Sequence, residues 1–283
     1  MLQRYNINSS VDFYNALREI LQEIALAGLY RGGFFEKAAF YGGNCLRIFY
    51  KLDRFSEELD FSLLVADSDF CLAPYFDAIE AEFEALGILV EITQKSRTTK
   101  SAIESAFLKS STAVHILTLE TKTKLKSGPV KQQIKIKFEV DTNPTLGFAT
   151  EQRLLLQPFS FYVKCYVADD LYAGKMHALL FRRWKVRVKG RDWYDFEWYV
   201  KNGFSLNLDH LSIRASESGD IKKGMQLTKD VFLEMLENKI STLDIESVKV
   251  DIRRFISDKN VLDIWSRDYF LELSKMMKIK NSE

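Results

Sequence analysis

The pair Gly42-Gly43, followed by Asn44 and then, fifteen residues beyond Gly43, by Glu58-Leu59-Asp60, restricts this chain more than any other stretch. A glycine turn here opens a short helical run from Asn44 to Tyr50. From Glu58 onward, Leu59, Phe61 and Leu63 alternate with Glu58, Asp60 and Ser62, which is the period of a strand. That period sends the three apolar side chains into a core and both carboxylates to the opposite face. A Gly-Gly pair alone is commonly only a turn, and alternating acids are commonly only the solvated face of a strand. The ordered combination is rarer. Two carboxylates at that spacing beside a glycine turn can hold Mg²⁺ against a nucleoside triphosphate, the constellation of a nucleotidyltransferase.

A second alternating strand spans Gln132 to Asp141 and is stopped by Asn143-Pro144. Ile134, Ile136, Phe138 and Val140 share one face, and Lys135, Lys137, Glu139 and Asp141 share the other. Paired with the Glu58–Asp60 strand, it brings Glu139 or Asp141 to the metals as a third carboxylate. Further strands are expected over Ile88–Thr93 and Ala113–Thr121, and Phe34–Tyr41 reads as a strand or short helix. Helices are expected over Val11–Ala27, capped by Ser9 or Ser10 and stopped at Gly28, and over Pro74–Leu86.

From about Asp169 the pattern turns helical. Asp169 or Asp170 can cap a helix from Leu171 to Arg183, on which Lys175 and Arg182 form a basic stripe. Ala173 and Gly174 let a backbone or ligand come close. Helices follow over Asp192–Val200, with Trp193, Phe196 and Val200 as its core face, and over Thr228–Asn238, Ile245–Ile256 and Val261–Met277.

Charge is nearly balanced overall, 40 basic against 39 acidic residues, but unevenly spread. Six lysines and no acid lie between Lys122 and Lys137, and six basic residues and no acid lie between Arg182 and Arg191. Either block suits a phosphate backbone, and either also suits a solvated face. Trp184, Trp193 and Tyr194 beside the second block offer stacking surfaces for bases. Cys45, Cys71 and Cys165 are too few and too scattered for a disulfide framework or zinc site. His177 reads as a packed or capping residue. No run is long and apolar enough for a membrane helix, and the first residues lack the basic-then-apolar signal pattern. A cytoplasmic protein with no membrane partner is the expectation.

Four stretches together resemble the AbiEii/AbiGii toxin family of nucleotidyltransferases, known from abortive-infection and toxin–antitoxin loci. They are Phe40-Tyr41-Gly42-Gly43-Asn44-Cys45-Leu46-Arg47, Arg54-Phe55-Ser56-Glu57-Glu58-Leu59-Asp60-Phe61-Ser62, Leu171-Tyr172-Ala173-Gly174-Lys175 and Lys189-Gly190-Arg191-Asp192-Trp193-Tyr194-Asp195-Phe196. The resemblance implies an α+β fold: a polymerase-β-like nucleotidyltransferase core with a mixed sheet over residues 1–165, then a helical domain over 166–283 that completes the active-site cleft. It implies triphosphate contacts at Gly42, Gly43 and Asn44, with Arg54 and Ser56 also assigned to nucleotide binding. Metal-binding acids fall on Glu58 and Asp60, the helix lysine on Lys175, and the later aspartate on Asp192 or Asp195, with Arg182 as a further basic candidate. The implied cofactor is Mg²⁺ or Mn²⁺, the substrate an NTP, the acceptor tRNA or another RNA, and the partner a cognate antitoxin. Asn44 replaces the family's usual Ser or Thr but can still donate a hydrogen bond to phosphate, and Glu58 replaces its usual Asp. Two other readings share these residues: a nucleotide- or RNA-binding module without chemistry, and a transferase that places AMP on protein hydroxyls.

Overall fold

The computed structural model describes residues 1–96, 115–121, 134–182 and 189–280. The chain divides into two compact units: Met1–Lys51, Phe55–Leu146 and Thr150–Cys165 form the first, and Leu52–Arg54, Gly147–Ala149 and Tyr166–Glu283 the second. In chain order the first carries α1 (Ser10–Arg31), β1 (Ala38–Tyr41), α2 (Gly42–Tyr50), β2 (Glu58–Leu63), α3 (Phe76–Ala85), β3 (Val90–Ser96), β4 (His115–Thr121), β5 (Lys135–Asp141), β6 (Thr150–Leu155) and all but the last residue of β7 (Phe161–Tyr166). Its strands form one seven-stranded mixed sheet in the order β3-β4-β5-β2-β1-β7-β6.

Period-2 patterning builds the centre of this sheet. Leu59 and Phe61 of β2 and Ile136, Phe138 and Val140 of β5 are fully buried. Phe61 stacks toward Phe138 at 6.4 Å between ring centroids, and meets Phe34 edge-on at 4.9 Å. β2 runs parallel to β5 with Asp60 opposite Glu139, and antiparallel to β1 with Tyr41 opposite Asp60. The glycine turn that ends β1 is therefore delivered to the acidic face by strand register.

Ser9 caps α1, its side chain accepting the Asp12 N–H at 3.1 Å. The helix does not stop at Gly28 as the sequence suggests, but continues to Arg31. Gly28 instead lets α3 approach: an added Cβ would lie 2.5 Å from the Ile79 Cα. The expected helix Pro74–Leu86 is a 3-10 turn over Ala73–Tyr75 followed by α3. β6 and β7 were not anticipated. β7 does carry the signal, since Phe161, Val163 and Cys165 alternate and are buried, whereas edge strand β6 leaves Leu154 exposed.

The second unit contains α4 (Ala168–Phe181), α5 (Gly190–Lys201), β8 (Ser205–Asn207), α6 (Leu208–Glu217), α7 (Lys229–Ser241), α8 (Ile245–Ile252), α9 (Arg267–Lys275) and β9 (Lys278–Lys280). The N-cap of α4 is Val167; Asp169 and Asp170 fall in the first turn. Asp170 instead accepts hydrogen bonds from the Ala149 N–H and the Asn207 amide, both at 2.6 Å. α4 ends at Phe181, which leaves Arg182 extended beyond it. The helix expected over Val261–Met277 is broken into a 3-10 turn, Asn260–Leu262, and α9, because Ser266 caps a new start by accepting the Tyr269 N–H at 3.0 Å. Among the described residues no helix is long and apolar enough to cross a membrane.

Candidate active site

On the first unit, one carboxylate oxygen from each of Glu58, Asp60 and Glu139 lies within 4.8 Å of the others, and all three residues are partly exposed. β2 supplies two of them two residues apart, and the parallel register of β5 supplies the third. Of the two candidates for that third acid, the cluster takes Glu139. Asp141 stands opposite Ser62, one step further along, and accepts the Asn143 N–H at 3.0 Å.

Gly42 is fitted to this cluster. Its φ is +80°, a conformation that favours glycine, and an added Cβ would lie 2.9 Å from the Asp60 Cγ and closer still to Oδ2. The residues after it open α2, whose first N–H groups, those of Gly43 and Asn44 among them, have no partner in the preceding turn of the helix. The Asn44 side chain faces the acidic strand. It is buried, and its amide donates to the Glu58 carbonyl at 2.5 Å, tying the start of α2 to the acidic strand. Ser56 is half-buried, and its carbonyl accepts from the Gln22 amide at 3.5 Å.

The cluster also contains a cation. Lys137, on the acidic face of β5, donates to Glu58 Oε1 at 2.9 Å and to Glu139. Burial opposes its charge, but these two carboxylates prevail and raise its pKa above the ordinary lysine value. Its place on the Glu139 face was readable from the alternation, but its pairing needs the register.

On the second unit, α4 and α5 form a buried charge network. Asp195 is wholly buried and receives a forked hydrogen bond from Arg54, Nε to Oδ1 at 2.6 Å and Nη2 to Oδ2 at 2.7 Å. Lys175 Nζ lies 2.7 Å from Asp195 Oδ2 and 3.9 Å from Asp192 Oδ1, and Arg182 lies 3.8 Å from Asp192. The direct partner of Lys175 is thus Asp195, the second of the two aspartates the resemblance leaves open. Burial works against the Asp195 charge, yet Arg54 and Lys175 overcome it and hold its pKa below the usual carboxylate value. Arg54 is itself 1% exposed and forked onto Asp195. Lys189 is pushed down to about 8, chiefly by burial and then by the neighbouring Arg182 charge.

Other expectations fare differently. Trp193 and Tyr194 are buried, Trp193 against Phe196 and Phe270, so neither ring is presented for base stacking. Among the described residues, Gly174 has nothing within 4 Å of an added Cβ. His177 bonds Ser218 and Asp220, as a packed residue would. Lys122, Lys124, Lys126, Lys131 and Trp184 lie outside the described residues. A surface cavity of about 590 Å³ on the first unit is lined by Tyr30, Phe35, Glu36, Gln152, Tyr162 and Lys164, and by none of the acidic cluster.

A mixed-sheet α+β core with a glycine turn set against one acidic strand and a third acid from its parallel neighbour defines a nucleotidyltransferase. Residues 24–281 match the family described as "Nucleotidyl transferase AbiEii toxin, Type IV TA system", and the chain belongs to that family of enzymes. Two crystal structures are similar over most of their length. One is a candidate nucleotidyltransferase from H. pylori, 18% identical, with a TM-score of 0.52, covering 92% of this chain and 91% of that one. The other is JHP933 from Helicobacter pylori, 17% identical, also at 0.52, covering 93% and 89%. At these identities the likeness is one of fold. No curated protein matches the chain.

Proposed function

We propose that this toxin transfers a nucleoside monophosphate from an NTP to an RNA hydroxyl, with tRNA as the acceptor class, in the cytoplasm and under the control of a cognate antitoxin. The observation that carries this reading is the convergence of Glu58, Asp60 and Glu139 against the Gly42 turn. Three anionic oxygen donors suit a hard divalent cation, so the cluster fits Mg²⁺ or Mn²⁺, and Glu58, Asp60 and Glu139 are its proposed holders. A divalent ion held there would supply Lewis acidity for the acceptor hydroxyl and charge compensation for the departing pyrophosphate.

The remaining roles belong to the chain's own groups. Backbone N–H groups of Gly43 and Asn44, at the positive end of α2, receive phosphate oxygens. Gly42 keeps the turn close to Asp60. On the second unit, Lys175 is the cation proposed to meet phosphate charge, and Asp195 fixes its ammonium. Arg54 acts on Lys175 through Asp195, as a positioning residue. Asp192, near both Lys175 and Arg182, orients those cations. RNA as the acceptor is supported by the basic block, of which Arg182 is exposed.

Incubation with each α-labelled NTP, Mg²⁺ or Mn²⁺, and total tRNA tests this. Label should reach RNA with the wild type and be lost in Asp60→Ala and Lys175→Ala. Label on protein instead would point to AMP transfer to side chains, and tight binding without transfer to a binding module.

A further inference from the structure

We propose that Lys137 is a resident counter-cation of the acidic cluster, which a divalent ion must displace before the cluster loads; this rests on reading Glu58, Asp60 and Glu139 as a metal site. Strand register dictates the placement. Lys137 stands opposite Glu58 in the parallel β2–β5 pair and two residues before Glu139 on the same face. Its ammonium consequently bonds two of the three acids at once.

Three carboxylates so close together repel one another, and one ammonium lowers their summed charge from −3 to −2. Ammonium and metal then compete for the same carboxylates. The lysine is on a flexible four-carbon stem and its side chain is about a third exposed (35%), so it can swing into solvent without disturbing the core. The result is a threshold: the site resists weak loading by free metal, while one ammonium reduces the repulsion within the apo cluster. A surface ion pair with no bearing on the metal would leave affinity unchanged.

The test measures Mn²⁺ binding by electron paramagnetic resonance to the metal-stripped full chain, beside thermal unfolding in EDTA. Two ion pairs of ordinary strength correspond to Mn²⁺ binding about five- to tenfold tighter in Lys137→Met than in wild type. Lys137→Arg should stay near wild type, and Lys135→Met, on the same face, should change binding less than about twofold. In EDTA, Lys137→Met should unfold at a lower temperature than wild type, and Mn²⁺ should remove the difference. Equal or weaker Mn²⁺ binding by Lys137→Met, with binding still lost in Asp60→Asn, would overturn the counter-cation and leave the metal site standing. No Mn²⁺ binding by either wild type or Lys137→Met would overturn the metal site and this inference with it.

Discussion

Replacing Gly42 by alanine tests the joint between the glycine turn and the acidic strand. Two costs are separable. A φ of +80° is unfavourable for any L-residue with a Cβ, at about 1–2 kcal/mol. The added methyl also meets Asp60, whose Cγ and Cβ would lie 2.9 and 3.0 Å away, and forcing such a group into packed surroundings costs about 1–3 kcal/mol. Gly42→Ala should therefore destabilise by about 2–5 kcal/mol in total. Only the second cost depends on Asp60. In an Asp60→Gly background, Gly42→Ala should cost about 1–2 kcal/mol, so a double-mutant cycle should return a coupling of about 1–3 kcal/mol. Urea unfolding followed by far-UV circular dichroism is the appropriate assay. Fluorescence is not, because all four tryptophans (Trp184, Trp193, Trp198, Trp265) lie outside the first unit. A Gly42→Ala variant as stable as wild type, or one equally destabilised with and without Asp60, would refute this reasoning.

Asp195→Ala strands the buried Arg54 and the Lys175 ammonium, and should cost about 3–5 kcal/mol in urea unfolding by tryptophan fluorescence. Because the folded-state pKa of Asp195 is depressed, its contribution is present above the ordinary carboxylate pKa and lost as pH falls through the folded value, so the deficit should shrink in acid. Lys189 should titrate near 8 by NMR of ¹³C-methylated lysine. Between about 8 and the ordinary lysine value of 10.5 the unfolded chain holds more protons on this residue, so it makes stability rise with pH there, and Lys189→Met should flatten that slope. Gly28→Ala should destabilise by about 1–3 kcal/mol through its clash with Ile79; a neutral or stabilising effect would refute the close approach of the two helices.

What the sequence made legible follows from period and proximity. The alternations in Glu58–Leu63 and Lys135–Asp141 place every core and acidic residue of the two central strands, because side-chain direction in a strand is fixed by parity. Parity cannot choose between Glu139 and Asp141, which share a face; only the register that sets Asp60 opposite Glu139 does. The same limit applies to Asp192 and Asp195, three residues apart on one helix, where packing gives Lys175 the nearer bond to Asp195. The resemblance places Arg54 among the nucleotide contacts, and the structure buries it. Its burial depends on a partner 141 residues away, which no local pattern reveals. Gly28 failed as a stop signal for a similar reason, since a glycine that admits a neighbouring helix and one that ends its own look identical in sequence.

Following the two ends of the NTP tests nucleotidyl transfer most directly. The wild-type protein is given α-labelled or γ-labelled NTP with Mg²⁺ and total tRNA, and the label in RNA is compared with that from Asp60→Ala. Nucleotidyl transfer predicts that only the α label enters RNA, that the γ label leaves in pyrophosphate, and that both events vanish in Asp60→Ala. Entry of the γ label into the acceptor, or α incorporation that survives loss of Asp60, would contradict it.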